Sequence, residues 1–316
     1  MAGLAKKQLR ARKILHGIRD LASSCSLCPR KCGVDRLRGE RGYCGCGSRP
    51  VVYSAMSHPG EEPPISGFRG SGAIFFSGCG MKCVYCQNHI FSHTMCGREM
   101  EPDVLGDLML GLQAKGCHNI NLVNPTFSLP GVIEALIYAF SEGLNIPVVY
   151  NTGGYDSLDV IKHLEGLVDI YLPDIRYSTN VEAERYSKAP CYMEKSRAAV
   201  KEMWRQTGRL ETAEGIAVKG LIIRLLVLPG NISGTEGSLK FIAGEMGSDI
   251  SVSLMSQYRP LYKAFRFKEL NREITRAEYE REVRNLEKYC LPNGWTQPFG
   301  VDFDNDLLGE NFLPGI

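Results

Sequence analysis

Three cysteines in the first third of the chain are spaced to hold an iron–sulfur cluster. Cys79, Cys83 and Cys86 form a C-x3-C-x2-C segment on a glycine-bearing loop. A 4Fe-4S cube normally takes four thiolates, so three from one loop leave one iron free. S-adenosylmethionine (SAM) can chelate that iron, and one electron then splits its sulfonium to release a 5′-deoxyadenosyl radical. The segment therefore predicts hydrogen abstraction by a radical.

The same cysteines are compatible with two other kinds of site. Cys96 could complete a four-thiolate electron-transfer cluster, or the segment could be a zinc knuckle. The spacing differs from the C-x2-C-x2-C of bacterial ferredoxins, and it directly follows a predicted strand. We therefore favour the SAM-binding cluster.

A second cysteine group comes earlier in the chain. Cys25, Cys28, Cys32 and Cys44 form C-x2-C-x3-C-x11-C, and Cys46 could replace Cys44. Four thiolates suit structural zinc or an auxiliary 4Fe-4S cluster, and unligated cysteines remain an alternative. A disulfide framework is typical of small secreted domains, whereas this chain has 316 residues. The sequence therefore predicts a metal site here but does not identify the metal.

The three remaining cysteines lie outside both groups. We expect Cys117, Cys191 and Cys290 to be buried small hydrophobic residues.

Strand and helix patterns alternate from about residue 71 onward and can position the Cys79 loop. Six apolar strands are predicted at 73–77, 119–123, 147–150, 168–172, 221–228 and 250–255. Helical patterns separate them, and a capping box from Thr275 to Glu278 opens a later helix. Strands alternating with helices indicate parallel pairing and right-handed crossovers. No GxGxxG follows a strand and no Lys directly follows a Gly, which argues against nucleotide-binding sheets.

The predicted fold is α/β, a partial (β/α)6 TIM-type barrel with a small N-terminal metal-binding module rich in cysteine. Residues 1–70 would form a helix and this module, 71–260 the barrel, and 261–316 a C-terminal helix and extension. In such barrels the chemistry lies in loops after the strands' C-terminal ends. Gln257 and Tyr258 follow the sixth strand and are candidates for touching substrate.

Charge and hydropathy limit the expected partners. Lys and Arg number 37 against 35 Asp and Glu, which does not favour nucleic acid as a partner. No apolar run approaches the roughly 18 residues of a membrane-spanning helix. The basic segment before residue 25 reads as an amphipathic helix rather than a signal peptide. We expect a cytoplasmic protein without membrane or nucleic-acid partners.

Several longer segments resemble one group within the radical SAM superfamily. They are HPGEEP at 58–63, GSG at 70–72, FFSGCGMKCVYCQN at 75–88, NTGGY at 151–155, DIYLPD at 169–174, LVLPG at 226–230 and SLMSQY at 253–258. Together they resemble the PflX-type group, labelled pyruvate formate-lyase activating enzyme-like. The likeness extends from about Cys25 to Gln297.

The resemblance implies roles for individual residues. Cys79, Cys83 and Cys86 would ligate the 4Fe-4S cluster, and the remaining implied positions would contact SAM. These positions are Tyr85 near the adenine, Asn124 and Thr126 near the methionine amino group, Asn151 and Thr152 near the ribose or carboxylate, and Asp174, Arg176 and Arg224 near the carboxylate. An intrabarrel salt bridge between Asp174 and Arg224 is the structural alternative.

Two neighbouring acids lie in a proline-rich loop. Glu61 and Glu62 could be paired carboxylates for acid–base work, but we expect sequence neighbours there to point apart and to serve structure or docking.

The resemblance implies an oxidoreductase of the activating-enzyme type, with flavodoxin or ferredoxin as the electron donor. Its hydrogen donor would be a glycine of a separate glycyl radical enzyme. Direct modification of a small molecule or peptide is one alternative, and a non-catalytic iron–sulfur electron carrier is another. The resemblance does not carry a substrate over, because Phe127 and Leu225 stand where histidine is common in the group.

Overall fold

A ten-stranded sheet organises the computed structural model, which describes residues 2–300. The strands are β1 Val51–His58, β2 Ser71–Phe76, β3 Arg98–Glu99, β4 Ile120–Val123, β5 Val148–Thr152, β6 Ile170–Pro173, β7 Glu211–Ala213, β8 Ile216–Leu226, β9 Ser251–Met255 and β10 Gly294–Thr296. The predicted extension past residue 300 lies outside the described residues.

Ten α-helices are found in the same part of the chain. They are α1 Ala2–Ser23, α2 Pro63–Ser66, α3 His89–Ser92, α4 Pro102–Ala114, α5 Leu129–Ser141, α6 Leu158–His163, α7 Asn180–Ser187, α8 Tyr192–Thr207, α9 Thr235–Met246 and α10 Arg276–Lys288. The predicted capping box of α10 is confirmed, because Thr275 and Glu278 each accept a hydrogen bond from the other's backbone N–H.

The order of the sheet confirms the predicted fold class. It runs β10-β9-β8-β6-β5-β4-β2-β1-β3, and β7 pairs with β8. The six predicted strands are β2, β4, β5, β6, β8 and β9, which lie side by side and parallel. Because the path ends at β10 and β3, the sheet is an open, partial barrel. Every residue of β2 is buried, as expected for a parallel strand covered on both faces.

Four strands were not predicted. The strand β1 pairs antiparallel with β2, and β3 adds to its outer edge. The β7–β8 hairpin turns at Glu214 and Gly215, whose φ angles of 51° and 80° are those of a type I′ turn. The strand β10 extends the parallel series beyond β9. Since β1 belongs to the predicted N-terminal module and β2 to the predicted barrel, the sheet joins these two regions.

The predicted first helix is confirmed as α1. Its apolar side is buried at Ile14 and Ile18. Its basic side reaches the barrel, where Lys7 pairs with Asp169 at 2.5 Å and Arg19 pairs with Glu134 at 2.6 Å. The cationic face is therefore partly engaged in packing the helix against α5 and the residue that precedes β6.

The expectation for the isolated cysteines is right for one and wrong for two. Cys117 is buried, whereas Cys191 and Cys290 are exposed at helix ends. Within residues 2–300, no helix has the length and apolar character needed to cross a membrane.

Candidate active site

The C-terminal ends of the parallel strands surround one cavity of about 510 Å³. All three cysteines of the predicted cluster loop line it, as do Gln257 and Tyr258. Of the predicted SAM contacts, the lining includes Tyr85, Asn124, Asn151, Thr152, Asp174, Arg176 and Arg224, but not Thr126. The cavity therefore brings together residues from loops far apart in sequence.

Backbone hydrogen bonds fix the cysteine loop after β2. Lys82 donates to the carbonyl of Ser187 at 2.9 Å, and Val84 donates to that of Tyr186 at 2.8 Å. The Asn124 side chain donates to the carbonyl of Gly78 at 2.6 Å, so the loop after β4 is tied to the same segment. The loop is consequently held at both ends before any cofactor binds.

Two glycines permit the loop to pass close to other elements. Gly78 has a φ of 89°, and a Cβ there would lie 2.2 Å from the Cys46 sulfur. A Cβ at Gly80 would lie 2.7 Å from the Phe127 ring. Larger residues at either position would push the loop away from the N-terminal cysteines.

Neutral hydroxyl groups contact two of the three loop sulfurs. Ser187 Oγ donates to Cys83 Sγ at 3.0 Å, and Ser92 Oγ lies 3.3 Å from Cys86 Sγ. The Ser187 hydroxyl also bonds Tyr177, whose hydroxyl bonds that of Tyr85 at 2.7 Å. This buried chain connects the sulfur of Cys83 to the aromatic residue in the same loop.

The environment of the loop disfavours free thiolates. Burial, reinforced by the neighbouring thiols, raises the pKa of Cys79 to about 12 and the pKa of Cys86 to about 11. Both are therefore neutral at pH 7 without a metal, and binding iron would release their protons.

Arg176 and Asp174 form the first charged group in the cavity. Arg176 Nη2 lies 2.5 Å from Asp174 Oδ2. The Nε of Arg176 is buried and has no hydrogen-bond partner, which leaves a donor available for a ligand. Gly153 is next to it, since a Cβ there would lie 3.5 Å from that Nε.

Arg224 belongs to a second group, and it corrects two expectations. Its Nε donates to Glu62 Oε1 at 2.8 Å, and its Nη2 bonds both Glu61 and Glu62. The two glutamates therefore converge rather than point apart, because one buried guanidinium bonds both carboxylates. Asp174 pairs with Arg176, so the salt bridge suggested for Asp174 and Arg224 is not formed between their side chains. Burial raises the pKa of Glu62, but the Arg224 charge outweighs it and the net pKa is lowered.

Thr126 lies behind the cavity in a buried network around Asp156. Its hydroxyl donates to Asp156 Oδ1 at 2.6 Å, and Thr152 donates to Oδ2 at 2.7 Å. Tyr150 bonds the same carboxylate at 3.1 Å. Thr126 thus helps to hold the end of β5. Asp156 was missed because only the folded chain brings it beside three hydroxyl groups.

The N-terminal cysteines lie directly behind the cluster loop. Cys25, Cys28, Cys44 and Cys46 are buried, and Cys32 is exposed. Cys28, Cys44 and Cys46 pack with Phe127, and Cys79 contacts the same cluster. Within residues 2–300, no three Cys, His, Asp or Glu side chains are placed to hold a single metal ion.

Comparison with known proteins identifies the family. The family model described as "Radical SAM superfamily" matches residues 73–232. An uncharacterized protein of Methanocaldococcus jannaschii, MJ0674, is 30% identical over an alignment of 287 positions, and the match covers 86% of this chain and 77% of that protein. The chain belongs to the radical SAM superfamily.

Two solved structures are similar at 12% identity. SuiB of Streptococcus suis bound to S-adenosylmethionine has a TM-score of 0.48 over 70% of this chain and 48% of its own. HydG, a maturase of the [FeFe]-hydrogenase, has a TM-score of 0.49 over 93% of this chain and 65% of its own. This chain therefore spans about half of one structure and just under two thirds of the other.

Members of the radical SAM superfamily are enzymes that use a 4Fe-4S cluster and SAM, and the residues present fit both groups. Three thiols from one loop line the cavity and would leave one iron of a 4Fe-4S cluster without a protein ligand. The unpartnered Nε of Arg176 fits the SAM carboxylate better than Arg224 does, because Arg224 is already engaged by two glutamates.

Proposed function

We propose that this radical SAM enzyme activates a glycyl radical enzyme, the role implied by its resemblance to the PflX-type group. When bound, the cluster and SAM supply a 5′-deoxyadenosyl radical that abstracts hydrogen. The observation that carries the proposal is that the cysteine loop and Arg176 line one cavity. Its volume of about 510 Å³ is that of a site for one drug-sized ligand. With SAM inside, the remaining space suits a narrow group such as a glycine on a partner's loop.

Within this proposal the chain's own residues bind and orient the cofactors. Cys79, Cys83 and Cys86 provide the thiolates, and the Ser187 hydroxyl stabilises one of them. Arg176 holds the SAM carboxylate, while Asp174 fixes the guanidinium in place. The ring of Tyr258 packs edge-on to Tyr85 at 5.8 Å and helps to exclude water from this end of the cavity.

Direct modification of a small molecule or peptide is the second candidate. The group of Glu61, Glu62 and Arg224 favours it, because a backbone glycine needs no such charged array. Asn121 and Asn151 add amide donors to Glu61 Oε1 at 2.8 and 3.4 Å. A substrate with polar groups could exchange hydrogen bonds with this array as it binds.

The proposed electron donor is flavodoxin or ferredoxin. Cationic side chains lie beside the cysteine loop, with Arg30 3.6 Å and Lys82 5.8 Å from the Tyr43 ring centroid. A cationic surface would attract an acidic electron carrier and speed its association. The twelve free cysteines suit a reducing compartment, and we propose the cytoplasm.

Hydrogen transfer into 5′-deoxyadenosine distinguishes the two candidate functions. The anaerobically reconstituted protein would be mixed with SAM, dithionite and a deuterated candidate. For an activase, we expect deuterium from a glycyl radical enzyme labelled at glycine, and a glycyl doublet in the EPR spectrum of the same enzyme without the label. Deuterium from a labelled small molecule or peptide, without the doublet, would overturn the activase role in favour of direct modification.

A further inference from the structure

We propose that the N-terminal cysteines bind a second 4Fe-4S cluster whose negative charge is balanced by the buried residue Arg36. The ligands would be Cys25, Cys28, Cys32 and Cys44. This site is separate from the SAM-binding loop and does not depend on which hydrogen donor the enzyme uses.

Arg36 is the observation that carries the proposal. It is 1% exposed, yet within residues 2–300 no carboxylate pairs with it. Its Nε donates to Cys25 Sγ at 2.8 Å and its Nη2 to Cys44 Sγ at 2.9 Å. A buried guanidinium is costly unless a negative charge compensates it. Metal-bound cysteines are thiolates and would supply that charge.

The backbone holds Arg36 in this orientation. Asp35 caps the short 3₁₀ turn by accepting hydrogen bonds from Leu37 and Arg38. The remaining Arg36 donor, Nη1, bonds the carbonyls of Cys46 and Phe127 at 3.0 and 2.9 Å. The side chain is thus fixed among the cysteines by four bonds.

The other two ligands, Cys28 and Cys32, lie near the same group of residues. A Cβ at Gly42 would lie 2.7 Å from Cys32 Sγ and 3.3 Å from Arg36 Nη2, which places that sulfur beside the guanidinium. Cys28 packs with Cys44 in one cluster. Cys46 instead donates to the carbonyl of Ser77 at 3.4 Å, so we assign it as a neighbour of the site rather than a ligand.

The arrangement favours a cluster over zinc. Tetrahedral zinc requires four ligands at about 2.0–2.3 Å from one point. No three side chains in the described part of the chain converge in that way. The thiolates of a cluster bind different irons and need not converge. The cysteine side chains of the Cys79 loop do not converge on one point either, although radical SAM proteins bind a cluster.

Metal analysis of two multiple variants tests the proposal. After anaerobic reconstitution and desalting, the wild-type chain should contain about eight irons and eight sulfides, two clusters of four. Replacing Cys79, Cys83 and Cys86 by Ala should leave about four of each, with an EPR signal on reduction that SAM does not alter. Replacing Cys25, Cys28, Cys32 and Cys44 by Ala should leave about four irons and a signal that SAM does alter.

Single variants provide the matched controls. Cys290→Ala, at an exposed cysteine, should retain the wild-type iron, and so should Cys46→Ala. If the N-terminal variant fails to fold, the loop variant still decides, because its N-terminal cysteines are intact. About one zinc and no iron in the folded loop variant would overturn the proposal, as would the absence of any metal. Neither result would affect the proposed function, since SAM cleavage by the wild-type chain is measured separately.

Discussion

The cysteines of the Cys79 loop and the N-terminal cysteines lie next to each other, but their sulfurs contact different groups. Cys79, Cys83 and Cys86 line a cavity, and serine hydroxyls contact two of their sulfurs. The N-terminal set is mostly buried and surrounds a guanidinium that bonds two of its sulfurs. The first set has access to a ligand, whereas protein encloses most of the second. Access to a ligand, rather than cysteine spacing alone, therefore distinguishes the set expected to meet SAM from the set proposed to hold a second cluster.

The largest expected effect tests which set meets SAM. Replacing Cys79, Cys83 and Cys86 by Ala should abolish SAM cleavage, because no other set opens onto the cavity. The measurement is 5′-deoxyadenosine by chromatography after anaerobic reduction, with Cys191→Ala as the exposed control. Product formation at the wild-type rate by the triple variant would show that these three cysteines are not the set that serves SAM cleavage.

The buried guanidinium should matter for folding. Arg36→Met should lower the free energy of unfolding by about 3–5 kcal/mol, because the thiolates of Cys25 and Cys44 would lose their cationic partner. Arg12→Met, at an exposed site on α1, should change it by less than about 0.5 kcal/mol. Anaerobic guanidinium titrations followed by circular dichroism would measure both. Equal stability of the two variants would contradict the role assigned to Arg36.

The two cavity arginines should differ in their effect on SAM. Arg176→Met removes a charge-assisted bond worth about 1.5–3 kcal/mol, so SAM should bind roughly 10- to 100-fold more weakly. Arg224→Met should mainly destabilise the fold, because Glu61 and Glu62 lose their shared partner. Equilibrium binding of SAM to the reconstituted proteins would measure the difference. A larger loss of affinity in the Arg224 variant would reverse this assignment.

The smallest expected effect concerns the hydroxyl groups at the first set. Ser187→Ala removes one neutral hydrogen bond to Cys83, worth about 0.5–1.5 kcal/mol. Hydrogen bonds to cluster sulfurs raise the reduction potential, so the potential of the SAM-sensitive cluster should fall slightly. Arg36→Lys should shift the SAM-insensitive cluster instead. EPR-monitored redox titrations would measure the potentials of both clusters. A Ser187→Ala variant that shifts the SAM-insensitive cluster, or an Arg36→Lys variant that shifts the SAM-sensitive one, would contradict this assignment.

The sequence predicted the regular part of the fold well. The six parallel strands combine apolar runs with helical crossovers, so periodicity alone identifies them. The strand β1 was missed because its antiparallel pairing depends on β2, about 20 residues later. The strands β3 and β10 have only two and three residues, too few for a pattern.

The residues that line the candidate site were largely predicted from the sequence, but the side chains with which they pair were not. The cysteine loop and the positions at strand ends lie around the cavity because parallel strands end at one edge. The convergence of Glu61 and Glu62 on Arg224 joins residues more than 160 apart in sequence, which local spacing does not reveal. Arg36 lies within the N-terminal cysteine motif, but residue spacing does not show that the fold buries its side chain against Cys25 and Cys44.

Cleavage of SAM at the Cys79 loop is tested by the balance of its products. The reconstituted wild-type protein would be reduced anaerobically with dithionite in the presence of SAM. We expect equal amounts of 5′-deoxyadenosine and methionine, formed only when Cys79, Cys83 and Cys86 are intact. A protein with full iron occupancy that forms neither product would contradict it.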